Sequence, residues 1–208
     1  QQREVRASTM SAAFVELARA HLHRTEMLSL PDSSEAKIAA RRKAESLLSK
    51  ALALDGKLGE AYVLRANLRE LRGDIAGAEA DFRTGLALSP NDGRGHAFFA
   101  DFLEREGKVD EALNAIEHAR TVDPLNPRSH YLKGLLLLYQ GTGTKEEIEA
   151  LFLQALSVAP EFHPALQRLG TIRKYSGRIA EAVKFSERAV AIDPRAQWLR
   201  IELSLLYL

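Results

Sequence analysis

Six histidines and scattered carboxylates are the residues here best able to hold a metal or move a proton, and their spacing argues against both. His21 and His23 lie two apart, so a helix sends them to different sides. His96 and His130 hold equivalent places in two successive segments, which brings them near each other if the segments stack. No further ligand joins them. The chain has no cysteine, and no His-Glu-x-x-His pattern occurs. No metal site is expected. There is no phosphate-cradling glycine loop, no dinucleotide fingerprint and no Gly-x-Ser-x-Gly elbow. The carboxylates lie among Lys and Arg at helical spacing, the pattern of a solvated face. With no base, nucleophile and orienting group together, the sequence points to a protein that is not an enzyme and needs no cofactor.

The densest basic spots are Arg41-Arg42-Lys43 and Arg173-Lys174. They are short and lack interleaved aromatics. The 29 basic residues balance 28 acidic ones, a formal net charge of +1. That balance gives no bulk attraction to nucleic acid or to an anionic membrane, and no nucleic-acid partner is expected. The longest apolar run, Leu135 to Tyr139, is far below the ~18 residues of a membrane helix, so no insertion is expected either. Hydrophobic residues make up 46% of the chain, enough to bury a core. The chain opens on Gln1 and stops at Leu208 inside a helical pattern, which reads as a fragment or processed form. Nothing selects a compartment.

The residues left for function are apolar, aromatic and basic, and a repeat positions them. Gly73, Gly107, Gly141 and Gly177 are spaced 34, 34 and 36 apart. Pro90, Pro124, Pro160 and Pro194 are spaced 34, 36 and 34, as are Gly85, Ala119, Ala155 and Ala189. A shared period in the range of roughly 20–50 residues means stacked units. Within 59–92, Tyr62, Ala66 and Arg69 fall at helical spacing, and Gly73 stops that helix because glycine adopts positive φ freely. Ala78, Phe82 and Gly85 form the inner stripe of a second helix, which Pro90 ends. The small residues let the two antiparallel helices approach closely. Units 93–126, 127–162 and 163–196 repeat this plan. The third carries two extra residues in its turn, where Thr144 and Glu147 form a capping box. Residues 197–208 read as the first helix of a truncated further unit, or as a C-terminal capping helix.

Residues 1–58 form a longer, irregular hairpin. Phe14, Leu17, Ala18, His21 and Leu22 mark one helix, Leu30-Pro31-Asp32-Ser33-Ser34 breaks it, and Asp32 with Glu35 is a second capping-box candidate. Ala18 and Ala44 are 26 apart, against 12 for Ala66 and Ala78. We read this hairpin as an atypical repeat that caps the array.

The pattern resembles the tetratricopeptide repeat. Endings such as Gly85-Leu-Ala-Leu-Ser-Pro90 and Ala189-Val-Ala-Ile-Asp-Pro194 are similar to that family's repeat endings. The resemblance implies an all-α protein of about eleven helices, a tetratricopeptide-type α-α superhelix, that is, a solenoid of antiparallel helix hairpins. In the family, aromatic residues or leucine are usual where Arg65, Arg69, Lys133 and Arg173 stand. Their long stems are expected to lie along apolar surface with the charge in water.

First helices line the concave side of such a solenoid, so the expected partner-binding groove follows from spacing. It takes Asn67 from the first standard unit and Arg94, Phe98 and Asp101 from the second. It takes Arg128, Tyr131, Leu135, Leu138 and Tyr139 from the third, and Arg168, Thr171, Lys174 and Tyr175 from the fourth. The expected partner is a protein or peptide, a helix or extended segment lying across 98–175. Some family members grip a chaperone's C-terminal carboxylate. The matching positions here are Val63, Asn67, Phe98, Arg128 and Leu132, of which only Asn67 and Arg128 fit, so that clamp is not expected. Two other readings stay open: a sensory or regulatory module of a larger bacterial signalling or transcription-regulatory protein, and a self-assembling structural protein, including a homodimer through the apolar Gly134–Tyr139 segment.

Overall fold

The computed structural model describes residues 2–27, 34–192 and 197–207. These residues form eleven α-helices and no strand. The chain divides into two compact units, Gln1–Phe102 and Leu103–Leu208. In the first, α1 (Gln2–Met27) pairs with α2 (Glu35–Leu54), α3 (Gly59–Leu71) pairs with α4 (Ile75–Leu88), and α5 (Gly93–Arg105) begins. The second holds the end of α5, then α6 (Val109–Val122), α7 (Pro127–Gln140), α8 (Lys145–Val158), α9 (His163–Tyr175), α10 (Ile179–Ile192) and α11 (Gln197–Leu206), each of α6 to α11 packed on the next.

The turn glycines behave as their spacing predicts. Gly73, Gly107, Gly141 and Gly177 have φ of 81°, 71°, 64° and 73°. No atom lies near enough to clash with a Cβ at these sites, so the positive φ itself selects glycine. Caps start the next helices. Asp74 accepts from the Gly77 amide at 3.0 Å, and Asn126 accepts from the Arg128 amide at 3.1 Å ahead of Pro127 in the first turn. Thr144 accepts from the Glu147 amide at 3.1 Å, as its spacing predicts. The cap of α2 is Ser34, which accepts from the Lys37 amide. Asp32 and the Leu30–Ser33 break lie outside the described residues, as does Pro194.

Small residues set the hairpin separation. Ala66, Ala78, Ala112, Ala119, Ala155, Ala182 and Ala189 are wholly buried. A Cβ on Gly85 would sit 2.7 Å from the Gly59 carbonyl oxygen, so α3 and α4 touch backbone to backbone. Large side chains fill the flanking space. Phe82, Phe99 and Phe102 cluster in the first unit, with ring centroids 5.4 to 6.2 Å apart. Val15, Ala18, Leu47, Leu48 and Leu64 form the core that ties the long α1–α2 hairpin to α3. In the second unit Phe152 fills the same role among Ile148, Leu166 and Leu169.

One expectation is corrected. The charges of Arg65, Arg69, Lys133 and Arg173 are not left to water alone: each meets an acid on a second helix, the first three staying partly exposed and Arg173 buried. Arg65 donates twice to Asp81, at 2.7 Å from both Nε and Nη2, and Arg69 reaches the same carboxylate at 3.2 Å and the Gly77 carbonyl at 3.0 Å. The planar guanidinium matches the carboxylate fork, and this pairing with Asp81 is what raises the Arg65 pKa. Lys133 meets Glu117 at 2.6 Å. Arg173 donates to Glu149 at 2.6 Å and lies 3.2 Å from Glu181. Asp81, Glu149 and Arg173 are buried, and burying a charge is tolerated when it is paired and hydrogen-bonded.

Two predictions follow from this packing. Gly85→Ala gains about 1 kcal/mol of helix propensity yet must push α3 from α4, and Ala155→Leu overfills a closed site at a cost of about 1–3 kcal/mol. Thermal melts are expected to show a lower Tm for both; an unchanged Tm would place these residues away from the hairpin interior. Asp81→Ala strands the Arg65 guanidinium and leaves Arg69 with the Gly77 carbonyl and Asp74. Because both arginines partly reach water, its cost should be about 2–3 kcal/mol, below the ~3–5 of a wholly buried pair. Urea titration measures it, and a loss under ~0.5 kcal/mol would show that the pairs contribute nothing net.

Candidate functional site: the first-helix side of the second unit

The expected groove residues divide between the two units. In the first, Asn67 is half-buried and its amide donates back to the Val63 carbonyl at 3.0 Å, so its side chain is bound within its own helix. Arg94 is exposed, beside a shallow hollow that Glu60, Ser89, Pro90, Asn91 and Asp92 also line. Phe98 and Asp101 are half-buried.

In the second unit the residues come from α7 and α9, and their fates differ. Leu135 is only 7% exposed and belongs to the core rather than to any open face. Tyr131 is half-buried, its ring held between Phe152 and Phe162 at centroid distances of 5.7 and 5.6 Å. The reason is geometric. The first helix α7 packs on both α6 and α8, and α9 on both α8 and α10. Only one strip of α7 can remain open. That strip holds Leu138 at 39% exposure and Tyr139 at 58%, and α9 contributes Tyr175 at 84%.

Arg168 joins the two helices. Its Nη2 donates to the Tyr139 hydroxyl at 3.0 Å, and its guanidinium stands 5.8 Å from the centre of that ring. Burial works against the charge, but hydrogen bonds with Tyr131 and Tyr139 outweigh it and the pKa is raised. Arg168 is therefore held charged and oriented. Thr171 turns its hydroxyl to the Gln167 carbonyl at 3.1 Å, while Arg128 and Lys174 are half-buried. The open strip thus offers aromatic and aliphatic surface with fixed positive charge beside it.

The histidines serve the joints between repeats. His96 Nε2 donates to the Pro90 carbonyl at 2.9 Å and His130 Nε2 to the Pro124 carbonyl at 2.8 Å. Arg188 takes the Pro160 carbonyl at 2.7 Å. The carbonyls of Pro90, Pro124 and Pro160, which end the first three standard repeats, are thus each taken by a side chain. Among the described residues no three His, Asp or Glu lie close enough to hold a metal, and no helix is long and apolar enough to cross a membrane. Sequence reasoning missed the buried acids. The signal was present in Asp81, which sits on the same stripe as Ala78 and Gly85, where a charge demands a partner.

Two tetratricopeptide repeat models match the chain, one at residues 70–136 and one at 163–195. "Tetratricopeptide repeat protein 5" of Bos taurus is 31% identical over 174 residues, which cover 73% of this chain and 38% of the relative. "Cytochrome c-type biogenesis protein CycH" of Rhizobium meliloti is 30% identical over 96% of this chain and 57% of its own length. The chain spans between 15% and 57% of the curated relatives it matches. Among solved structures, pilF of Pseudomonas aeruginosa superposes with a TM-score of 0.74 at 17% identity, covering 97% of this chain and 86% of that one. At that identity the likeness speaks for the fold alone.

Glu117 supplies a pH prediction for this unit. Burial raises its pKa, but Lys133 and Arg120 outweigh that and hold it below the ordinary carboxylate range. A carboxylate depressed on folding stabilises above its unfolded pKa of about 4.3, and loses that contribution as pH falls through the folded value. Glu117→Gln should therefore cost stability at pH 7 and cost nothing near pH ~2. Chemical denaturation at both pH values checks this, and an equal cost at both would refute the ion pair.

Proposed function

The chain belongs to the tetratricopeptide repeat family, and from that premise we propose that it is a protein-interaction scaffold that docks a peptide or helical segment on the first-helix side of its second unit. The observation that supports this is the exposed strip of Leu138, Tyr139 and Tyr175 beside the oriented Arg168. Large exposed aromatics are costly to leave in water, and aromatic and Arg side chains are the usual anchors of interfaces. They stand on helices whose other faces are fixed by packing, so the site is rigid before a partner arrives. A preorganised surface spends little of its binding energy on ordering itself. Catalysis has no part in this reading. Asn67, Arg94, Phe98 and Asp101 belong to the first unit, and the proposed strip does not draw on them. Arg128, Thr171 and Lys174 border it in the second unit, and Tyr131 and Leu135 hold it from beneath.

The reading is tested by selecting binders from a random-peptide display library on the wild-type protein. Selected peptides are expected to lose about tenfold or more in affinity for a Tyr139→Ala/Tyr175→Ala variant that still melts cooperatively. Peptides that bind this variant as well as wild type, and fail instead on Leu153→Glu of α8, would move the site to the second-helix side.

A further inference from the structure

Tyr139 and Tyr175 hold the same place in successive repeats. Each stands two residues ahead of a positive-φ turn glycine, Gly141 or Gly177, and both rings are exposed. Charge alone selects no partner for them. The first helices of the second unit carry both signs: Arg168 and Lys174 stand on α9, but α5 ends in Glu104 and Arg105, and α11 holds Arg200 and Glu202. The hydrogen bonds are more selective. A phenol has one hydrogen to donate. The exposed Tyr207 of the same unit gives its hydrogen to Glu187 at 2.7 Å. The Tyr139 hydroxyl bonds in the opposite sense. It accepts from Arg168 Nη2, so its own hydrogen points elsewhere, and among the described residues none accepts it. Accepting from a cation polarises that O–H and strengthens it as a donor. The strip therefore presents two flat apolar rings and one strong, unanswered donor.

Resting on the proposed docking strip, we infer that the segment docked there is an extended, proline-bearing peptide in the polyproline II conformation, and not a helix. An α-helix uses its carbonyl oxygens on its own amides, leaving only those of its last turn to meet Tyr139. A polyproline II segment has no internal hydrogen bonds, so every carbonyl is open. Three residues per turn return a pyrrolidine ring to the same side, and such rings dock against aromatic side chains. One segment can thus lay rings on Tyr139 and Tyr175 and offer a carbonyl to the Tyr139 hydroxyl. The carbonyl oxygen carries the partial negative charge that this O–H and the Arg168 guanidinium answer, and it brings no net charge to a side of mixed sign. The segment is also ordered before it binds, which lowers the entropy lost on docking.

The test titrates the intact, leucine methyl-labelled chain with blocked decaproline, whose backbone accepts hydrogen bonds but has no N–H to donate. The Leu138 methyl resonances should shift, with a Kd of about 1 mM or below. Tyr139→Phe keeps the ring and removes the hydroxyl. In a variant that melts as wild type does, it should weaken binding by about fivefold. Tyr207→Phe removes a hydroxyl whose hydrogen is already given to Glu187, and should leave binding within about twofold. A blocked peptide of repeated Glu-Ala-Ala-Ala-Lys, which is helical, should bind more weakly than decaproline. No shift of Leu138 with decaproline, no loss from Tyr139→Phe, an equal loss from Tyr207→Phe, or tighter binding of the helical peptide would each overturn the extended, proline-bearing partner. Display-selected peptides that need Tyr139 and Tyr175 yet lack proline would overturn that partner alone and leave the docking strip in place. Decaproline that binds the Tyr139→Ala/Tyr175→Ala variant as tightly as wild type would overturn both.

Discussion

The backbone-to-backbone approach of paired helices governs everything else in this protein. Where α3 meets α4, a carbonyl of one helix lies where a methyl group of the other would stand. At Gly134 the missing side chain serves a different contact: the Phe152 ring lies 2.8 Å from where a Cβ would stand. Close contact of this kind forgoes large side chains along one line and concentrates them beside it, at Phe82 and Phe152. It also fixes which stripe of each first helix is consumed by packing. Tyr139 and Tyr175 are open because the stripes next to them are not.

Ion pairing is the second tier. Replacing an apolar ridge residue by Arg or Lys would empty a hairpin interior of its packing and burden it with charge. Asp81, Glu117 and Glu149 resolve that burden from the facing helices, and the long aliphatic stems fill the space. Such pairs have strict geometry. They therefore set the register between helices in a way that interchangeable leucines do not.

Much of this architecture was legible in sequence because backbone demands leave few choices. A positive φ every 34 or 36 residues calls for glycine, and four glycines in step announce four turns. Side-chain destinations were less legible. Tyr131 and Tyr139 both lie on α7 and both looked like groove residues. Eight residues at about 100° each leave them about 80° apart around the helix, enough for one to enter the Phe152–Phe162 pocket and the other to face out. Periodicity gives the angle between them but not which one the neighbouring helix covers. The ion pairs between repeats were hidden for a related reason. Glu117 and Lys133 belong to different repeats, and Glu149 and Arg173 likewise, so each pair becomes visible only when hairpins are stacked.

The central claim is that the second unit recognises its partner on the first-helix side. Leu138 on α7 and Leu153 on α8 have similar exposure, 39% and 43%, on opposite kinds of helix. Methyl NMR on a leucine-labelled chain, titrated with a display-selected peptide, compares them within one sample. The account predicts that the Leu138 methyl resonances shift or broaden at saturating peptide while those of Leu153 stay in place. Movement of Leu153 with Leu138 silent would contradict it.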